Sequence, residues 1–168
     1  MKRSIPFIIV MAMLHSPWAR AAIVTTTADT GPGSLRQAIG NATPGETLTF
    51  AVSGSITLTS GELFITNNLT ITGPGASQLT VQRSTAAGTP DFRVFDIRSG
   101  TVTISGLTVN NGRSDSGGGV FIRAGSVLTM HDLVISGNAA TNAGGGIKNV
   151  GTLRLDRAII SGNSATGG

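Results

Sequence analysis

A histidine, two aspartates and an arginine stand at matching positions in two consecutive copies of one sequence pattern, 25 residues apart. His131 in the first copy corresponds to Asp156 in the second, and Asp132 corresponds to Arg157. Imidazole and carboxylate groups are common general acids and bases, so these positions could carry out proton transfer. They could instead form polar ladders, because strands of adjacent coils lie about 4.8 Å apart and would bring His131 opposite Asp156, and Asp132 opposite Arg157. We favour the ladders and assign none of the four a catalytic role.

Two asparagines, Asn138 and Asn163, end the same two copies. Amides stacked in adjacent coils can hydrogen-bond along the stack and to the backbone of the turn, which makes an asparagine ladder. Sugar recognition is the functional alternative. It would need aromatic platforms beside the amides, and the neighbouring sequence has none. We therefore interpret this pair as structural.

The two copies belong to a longer repeat. Residues 128–138 and 153–163 share one order of apolar and polar positions, and residues 102–112 carry a weaker copy 26 residues upstream of the first. Self-similarity at a period of about 20–50 residues is typical of solenoid proteins, in which each repeat packs on its neighbours. The elements that position the candidate residues are therefore the coils of a solenoid.

Each copy consists of two apolar pairs that flank two polar positions, as Leu128/Met130 and Leu133/Ile135 do. Apolar residues two apart in short runs indicate strands with one buried face. Two such strands with a bend between them describe one coil, so the sequence predicts an all-β fold, a single-stranded parallel β-helix over residues 46–168. Leucine-rich and helical repeats fit worse, since neither a 3.6-residue period nor a Leu-x-x-Leu-x-Leu signature is present.

A different pattern precedes the coils. Residues 22–45 begin with a β-branched run and continue into a short amphipathic segment, 34–40. Ser34 is a predicted N-cap, Gln37 stands at the capping-box spacing and Gly40 is a predicted stop. A strand followed by a two-turn helix would cover the first coil, whose edge would otherwise be free to pair with another chain.

The first 21 residues predict a secretory signal peptide. Lys2 and Arg3 form a basic start, residues 5–14 are apolar, and a small-x-small cleavage site makes Ala22 the predicted mature terminus. A membrane anchor is the alternative, but the apolar run is shorter than the roughly 20 residues that a spanning helix needs. We expect an exported protein, secreted or held at the cell surface or outer membrane, with no transmembrane span in the mature chain.

The net charge of +4 does not indicate nucleic-acid binding. Three of the cations, Lys2, Arg3 and Arg20, lie in the predicted signal peptide or at its cleavage site, and the remaining chain has nine cations against eight acids. With no Tyr or Cys, almost nothing titrates between pH 7 and about 10, so one surplus cation raises the isoelectric point strongly. No run rich in Lys and Arg is present, and we expect no nucleic-acid partner.

Short motifs in the repeat region resemble a known family. Gly-Gly-Gly-aliphatic at 117–120 and 144–147, with Ile-Ser-Gly-Asn at 135–138 and 160–163, is similar to the repeats of polymorphic outer-membrane proteins. More broadly it resembles right-handed parallel β-helix proteins of the pectin-lyase-like superfamily. Ser-Leu-Arg-Gln-Ala-Ile at 34–39 resembles the Cys-Ser-Leu-Arg-Glu-Ala-Ile motif of exported bacterial β-helix proteins. The resemblance implies a right-handed coil and an exported protein.

An enzyme is the rival class, because the superfamily that the chain resembles includes polysaccharide lyases and hydrolases. Such enzymes use a carboxylate cluster for Ca²⁺ with an arginine base, or closely placed aspartates. Asp96 and Arg98 alternate onto one face of a strand, which is the only hint of such a site. No motif for a metal or a cofactor is present, and we predict neither. The eight acids are spread along the chain: Asp29, Glu46, Glu62, Asp91, Asp96, Asp115, Asp132 and Asp156.

Two segments interrupt or end the repeat. Residues 84–93 break the alternation and predict a loop that bulges from one coil. Residues 163–168 stop where earlier coils begin Gly-Gly-Gly-aliphatic. We expect the chain to end mid-repeat with an open edge that pairs with further repeats or with another copy. The hypothesis is an exported structural or adhesive module with a host-surface or glycan ligand, the N-terminal part of a longer bacterial protein.

Overall fold

The computed structural model describes residues 21–167, which form a parallel β-solenoid of about six turns with one short helix. The prediction of an all-β solenoid is confirmed. The predicted signal peptide lies outside the described residues, except for Ala21. The elements in chain order are β1 Ala21–Val24, α1 Leu35–Asn41, β2 Glu46–Phe50, β3 Gly54–Leu58, β4 Leu63–Ile65, β5 Leu69–Thr72, β6 Leu79–Arg83, β7 Phe95–Ile97, β8 Thr101–Ser105, β9 Thr108–Asn110, β10 Arg113–Ser116, β11 Val120–Ile122, β12 Val127–Ser136, β13 Ala139–Ala143, β14 Ile147–Asn149, β15 Thr152–Ser161 and β16 Ser164–Ala165.

The strands stack into three parallel sheets that run along the solenoid. The largest sheet contains β1, β2, β3, β5, β6, β8, β9 and β12, with β15 also paired to β12. Strand β12 pairs with β8 along its first half and with β9 along its second half, so this sheet bends at the middle of β12. The other two sheets follow the orders β10-β13-β16 and β14-β11-β7-β4. The right hand expected of the coil stays a prediction.

Stacking of the repeat copies places like residues over like residues. Leu128 pairs with Val102 in the preceding coil and with Leu153 in the following one, which reproduces the 26- and 25-residue offsets of the sequence. Leu128 is fully buried, as are Met130 and Ile135 of the same strand. These side chains point into the column that every coil shares. Burial of apolar surface along this column is the main force that holds one coil on the next.

The last coil differs from the others in exposure. Leu155 and Ile160 occupy inward positions of β15, yet they are 40% and 49% exposed. Their counterparts Met130 and Ile135 in β12 are fully buried. The difference arises because β12 has β8 and β9 on one side and β15 on the other, whereas no strand among residues 21–167 pairs with the second edge of β15.

The bend within each coil requires a left-handed backbone conformation. Gly106, Asp132 and Arg157 occupy the same position in successive coils, and their φ angles are 63°, 53° and 45°. Left-handed angles cost a non-glycine residue about 1–2 kcal/mol, because Cβ approaches the following carbonyl oxygen. Only the first of these coils has the residue that adopts this angle without strain.

This bend predicts a reversal of the usual preference between alanine and glycine. We expect Asp132→Gly to be more stable than Asp132→Ala by about 1 kcal/mol, because both lose the carboxylate but only glycine relieves the left-handed strain. Urea unfolding of both variants measures the difference. The control position is Thr129, an outward residue of the same strand with an ordinary φ, where alanine should be the more stable replacement. Equal stability of the two Asp132 variants would contradict the prediction.

The N-terminal cap contains the predicted strand and helix. β1 pairs in parallel with β2, and helix α1 buries Leu35 and Ile39 against the core. The Ser34 hydroxyl accepts a hydrogen bond from the Gln37 backbone N–H at 3.2 Å, as an N-cap does. The predicted stop at Gly40 is one residue early, since the helix continues to Asn41. Gly40 keeps a helical backbone, and the Ala42 N–H closes the last turn on the Ile39 carbonyl instead.

The loop at 84–93 is tied to the coil by a buried arginine. Arg83 donates to the carbonyl oxygens of Thr89 and Pro90 at 2.7 Å each and forms an ion pair with Asp91 at 3.2 Å. Phe92 follows and inserts into the core. The loop therefore bulges as predicted. The chain returns to the core at Phe92, three residues before β7 begins.

Candidate functional site

The structure brings the four bend residues together on the surface of the last two coils. His131 and Asp156 are register partners, but the His131 Nδ1 lies 2.9 Å from its neighbour Asp132. Arg157 donates from Nε and Nη2 to both Asp132 oxygens, at 2.6 and 2.9 Å, and from Nη1 to Asp156. The hydrogen bonds from Arg157 and His131 hold the pKa of Asp132 well below its usual range. These groups stay a third or more exposed, so solvent screens the ion pairs and they contribute little to the stability of the fold.

The two asparagines contact each other along the stack. Asn138 is fully buried, and its Nδ2 donates to Asn163 Oδ1 at 2.9 Å and to the Val109 carbonyl at 3.1 Å. Its Oδ1 accepts from the Gly112 N–H of the preceding coil at 2.9 Å. Its Nδ2 also donates to the Ser136 carbonyl at 3.0 Å, so one side chain bonds the preceding coil, its own coil and the following coil. Each of its polar atoms has a protein partner, so nothing is left to bind a sugar.

The triple-glycine motifs make room for these asparagines. A Cβ on Gly119 would lie 3.0 Å from the Asn138 amide and 2.6 Å from the Gly146 carbonyl oxygen. A Cβ on Gly146 would lie 3.0 Å from the Asn163 amide. A side chain on Gly119 would therefore collide with the backbone of the next coil, whereas one on Gly146 would require the Asn163 amide to move by a few tenths of an ångström. The Gly-Gly-Gly and Ile-Ser-Gly-Asn motifs recur together because they are the two halves of one contact.

A second cluster, on the β14-β11-β7-β4 sheet, is the stronger candidate for a binding surface. Phe64, Asp96, Phe121 and Lys148 are register partners in four successive coils and point outward. Arg98 and Arg123 follow two residues after Asp96 and Phe121 and lie beside them. We call these six residues, together with Glu62 and Arg93, the arginine face.

A buried carboxylate organises the arginine face. Asp96 is completely buried and accepts from Arg98 Nε at 2.9 Å and from Arg123 Nε and Nη2 at 2.9 and 3.0 Å. Burial by itself would raise the pKa of Asp96, but the hydrogen bonds from Arg123 and Arg98 outweigh it and lower the pKa. Asp96 is therefore ionised at neutral pH, and its charge holds the two guanidinium groups in place.

Two phenylalanine rings fix the planes of the same arginines. The Arg98 guanidinium carbon lies 3.9 Å from the centre of the Phe64 ring, and that of Arg123 lies 4.2 Å from the Phe121 ring. Cation–π contacts of this kind contribute about 0.5–1 kcal/mol at exposed sites. The arginine side chains remain 47% and 42% exposed, so their outer N–H groups face solvent. Fixed, half-exposed guanidinium groups are suited to binding carboxylate, sulfate or phosphate groups.

Arg93 adds a buried and incompletely bonded guanidinium to this face. Its Nη2 donates to Ser114 at 2.9 Å and to Asp115 at 3.1 Å, and its guanidinium carbon lies 4.8 Å from the Phe121 ring. Within residues 21–167 its buried Nε and Nη1 have no hydrogen-bond partner. Burial raises the pKa of the nearby Glu62, whose charge is favoured by Arg93 but opposed by Asp96. The face thus holds donors that its own acids do not satisfy.

Sequence reasoning found only Asp96 and Arg98 of this face. The offsets between its register partners are irregular, because the insertion at 84–93 separates Phe64 from Asp96 by 32 residues, whereas 25 residues separate Asp96 from Phe121. A search for equal spacing misses such a set. The alternation of Phe64, Asp96 and Phe121 with buried neighbours marks each as outward, but not as members of one column.

Two open grooves lie at the N-terminal end. One, of about 440 Å³, lies beside the arginine face between α1 and β4 and is lined by Arg36, Ile39, Leu63 and Phe64. The other, of about 370 Å³, lies between β1 and α1. Among residues 21–167 no group of three or more histidine, aspartate or glutamate side chains is placed to hold a metal ion. The described part of the chain also contains no helix long and apolar enough to span a membrane.

Comparison with known proteins finds no match for this chain among family models, curated proteins or solved structures.

Proposed function

We propose that the chain is a structural and adhesive repeat module of an exported protein, and that the arginine face is its ligand-binding surface. One observation supports this proposal: every aspartate among residues 21–167 forms an ion pair with an arginine. A carboxylate in such an ion pair holds the arginine side chain in place on the surface of the solenoid. The pairs are Asp29–Arg36, Asp91–Arg83, Asp96–Arg123, Asp115–Arg93, Asp132–Arg157 and Asp156–Arg157.

We also propose kinship with the polymorphic outer-membrane repeats and, more broadly, with the pectin-lyase-like β-helix proteins. The contact of Gly119 with Asn138, repeated by Gly146 with Asn163, supports it, because it gives the shared motifs a common structural purpose. The proposal of export rests on the predicted signal peptide. It is tested by sequencing the N-terminus of the protein recovered from the culture medium or cell surface, which should begin at Ala22. A terminus at Met1 on a cytoplasmic protein would contradict it.

The ligand that fits the arginine face is an anionic group on a cell-surface or host-surface polymer, such as an acidic glycan. The face carries Arg93, Arg98, Arg123 and Lys148 against Asp96 and the partly buried Glu62, so its net charge is positive. Arg98 and Arg123 follow the register partners Ile97 and Ile122, so they lie in neighbouring coils about 4.8 Å apart, and Lys148 lies in the next coil. A polymer with regularly spaced anions would contact several coils at once.

We expect Arg98→Ala and Arg123→Ala each to weaken binding of an immobilised acidic glycan about tenfold, because each removes a charge-assisted hydrogen-bond donor. Surface plasmon resonance over panels of uronate-bearing, sulfated and neutral glycans measures the effect. Arg154→Ala is the matched control, since it removes an exposed cation of the last coil, away from the face. Equal losses in all three variants would indicate a nonspecific charge effect and would contradict the assignment of the face.

A carbohydrate-active enzyme is the second candidate, and one observation favours it. Burial raises the pKa of Glu62, and the charges of Arg93 and Asp96 also act on it. A general acid beside a carboxylate has a raised pKa in the same way. Incubation of residues 22–168 with pectate and alginate, with and without Ca²⁺, separates the two functions. Binding without product release supports the adhesive module. Sustained product release that Asp96→Ala abolishes would establish the enzyme instead.

We further propose that the edge of β15 with which no strand of residues 21–167 pairs binds another parallel strand, from further repeats or from a second copy. Three exposed apolar side chains on this strand, Leu155, Ile159 and Ile160, support this proposal, since an edge with exposed apolar residues is a template for pairing. Sedimentation of residues 22–168 should show association that rises with concentration and falls when Ile159 and Ile160 are replaced by lysine. A monomer at every concentration would contradict it.

A further inference from the structure

The chain contains a single Asn-Gly dipeptide, Asn111-Gly112, and it lies at a sharp corner between β9 and β10. Asn111 has a left-handed backbone with a φ of 57°, and its side-chain Nδ2 donates to Gln82 Oε1 of the preceding coil at 3.1 Å. Gly112 is buried, and its N–H donates to Asn138 Oδ1 at 2.9 Å. Its carbonyl oxygen accepts from the Ala139 N–H at 2.8 Å. Both polar groups of Gly112 are therefore bonded to the next coil.

Asn-Gly is the dipeptide in which asparagine most readily loses ammonia. The backbone nitrogen of the glycine gives up its proton and attacks the side-chain Cγ of the asparagine. A new C–N bond closes a five-membered succinimide, and the side-chain amide leaves as ammonia. Water then opens the ring at either carbonyl and leaves aspartate or isoaspartate. Glycine favours the reaction because it has no side chain to obstruct the attack.

We propose that Asn111-Gly112 is a latent deamidation site, which the hydrogen bond from Gly112 to Asn138 in the next coil keeps unreactive. The attacking nitrogen is the atom that donates to Asn138, so it cannot lose its proton until that bond opens. Close packing adds to this protection, because the Gly118 carbonyl oxygen and the Asn138 amide oxygen both crowd the position where a Cβ of Gly112 would stand. This inference does not depend on the proposed function.

The isoaspartate product does not fit back into the coil. Isoaspartate carries the main chain through the former side chain, which adds one carbon to the backbone between residues 111 and 112. At Gly112 not even a Cβ fits, since it would overlap the Gly118 carbonyl oxygen. Isoaspartate at position 111 would therefore be an irreversible chemical mark left after the Gly112–Asn138 contact between the two coils has opened.

Mass spectrometry of residues 22–168 tests the proposal. The protein is incubated at mildly alkaline pH, folded and in concentrated urea, and then digested with trypsin, which releases residues 99–113 as one peptide. Deamidation exchanges an amide NH₂ for OH and adds a negative charge, and fragmentation separates Asn111 from Asn110. We expect Asn111 to react at least about tenfold more slowly in the folded protein, because reaction requires local opening. Equal rates in the two conditions would overturn the proposal.

Two variants separate the local bond from general destabilisation. Asn138→Ala removes the acceptor of the Gly112 N–H, whereas Asn163→Ala removes the equivalent ladder residue one coil further, which does not contact Gly112. At equal folded fraction, Asn111 should react several-fold faster in Asn138→Ala than in Asn163→Ala. Equal acceleration in both would mean that Asn138 has no specific role.

A measurement on the unmutated protein decides the question if Asn138→Ala does not fold. In a series of urea concentrations below the unfolding transition, amide hydrogen exchange at Gly112 and deamidation at Asn111 are measured in parallel. Both rates should rise together, because one opening event frees the same nitrogen for both reactions. A rise in exchange at Gly112 without a rise in deamidation would overturn the proposal.

Discussion

Replacement of Asn138 by alanine is expected to lower the free energy of unfolding by about 3 kcal/mol or more. The side chain is completely buried and bonds three coils, so its removal leaves the Gly112 N–H and the Val109 and Ser136 carbonyl oxygens without their partner. A buried group that loses its partner costs about 1–3 kcal/mol, and the cavity left by the amide adds to this. Equilibrium unfolding in urea measures the loss.

Asn163→Ala is the matched control for this prediction. Asn163 accepts from the backbone and side-chain nitrogens of Asn138 and donates to Ile135, but it lies in the last coil and is only partly buried. Water can replace part of its bonding, so we expect less than half the loss seen for Asn138→Ala. Equal losses at the two positions would show that burial between coils is not what makes Asn138 important.

The second large effect is expected at Asp29, which fastens the N-terminal cap to the first coils. One oxygen accepts from the backbone N–H groups and hydroxyls of Thr59 and Ser60, at 2.8–3.0 Å. The other accepts from Arg36 of the helix at 2.7 and 3.0 Å, and Arg36 also donates to the Gly61 and Glu62 carbonyls. We expect Asp29→Ala to cost about 2–3 kcal/mol and to open the cap before the coils.

Hydrogen exchange resolved by residue measures this opening, with faster exchange expected in β1 and α1 than in β12. Asp91→Ala is the control, since Asp91 also pairs with an arginine but is 53% exposed, and its removal should cost about 1 kcal/mol at most. If β12 and α1 lost protection equally in Asp29→Ala, the cap and the coils would unfold as one unit, against the prediction.

Acid should remove the contribution of Asp29 over a defined range. Burial alone would raise its pKa, but the hydrogen bonds from Thr59, Arg36 and Ser60 outweigh burial and lower the pKa from 3.8 to about 2. A folded-state pKa below the unfolded one stabilises the fold above the unfolded value, here by about 2 kcal/mol. The stability gap between the native protein and Asp29→Asn should therefore be constant above about pH 5 and shrink as the pH falls through 4 to 2. A gap independent of pH would contradict this.

The ladder residues show what can and cannot be inferred from spacing. Equal offsets predict that Asn138 lies level with Asn163 and Asp132 with Arg157, and in the structure each of these pairs is joined by a hydrogen bond. They also placed His131 level with Asp156, but the imidazole is hydrogen-bonded to Asp132, its neighbour in the chain. Register decides which Cα atoms are adjacent, whereas side-chain rotation and competing charges decide the bonds. Arg157 donates a hydrogen bond to Asp156, and the His131 imidazole is hydrogen-bonded to Asp132 instead.

The sequence alone determined the solenoid, the inward columns and the asparagine ladder. These features repeat at nearly constant spacing, and each coil buries the same positions on its neighbours, so a one-dimensional pattern is sufficient to specify them. The tertiary structure decided the arginine face. Its residues are separated by unequal numbers of positions, because the insertion at 84–93 lengthens one coil, and the buried Asp96 is bonded to Arg98 of its own coil and Arg123 of the next. A set assembled from unequal loops and side-chain rotations has no period, and it becomes visible only when the coils are stacked.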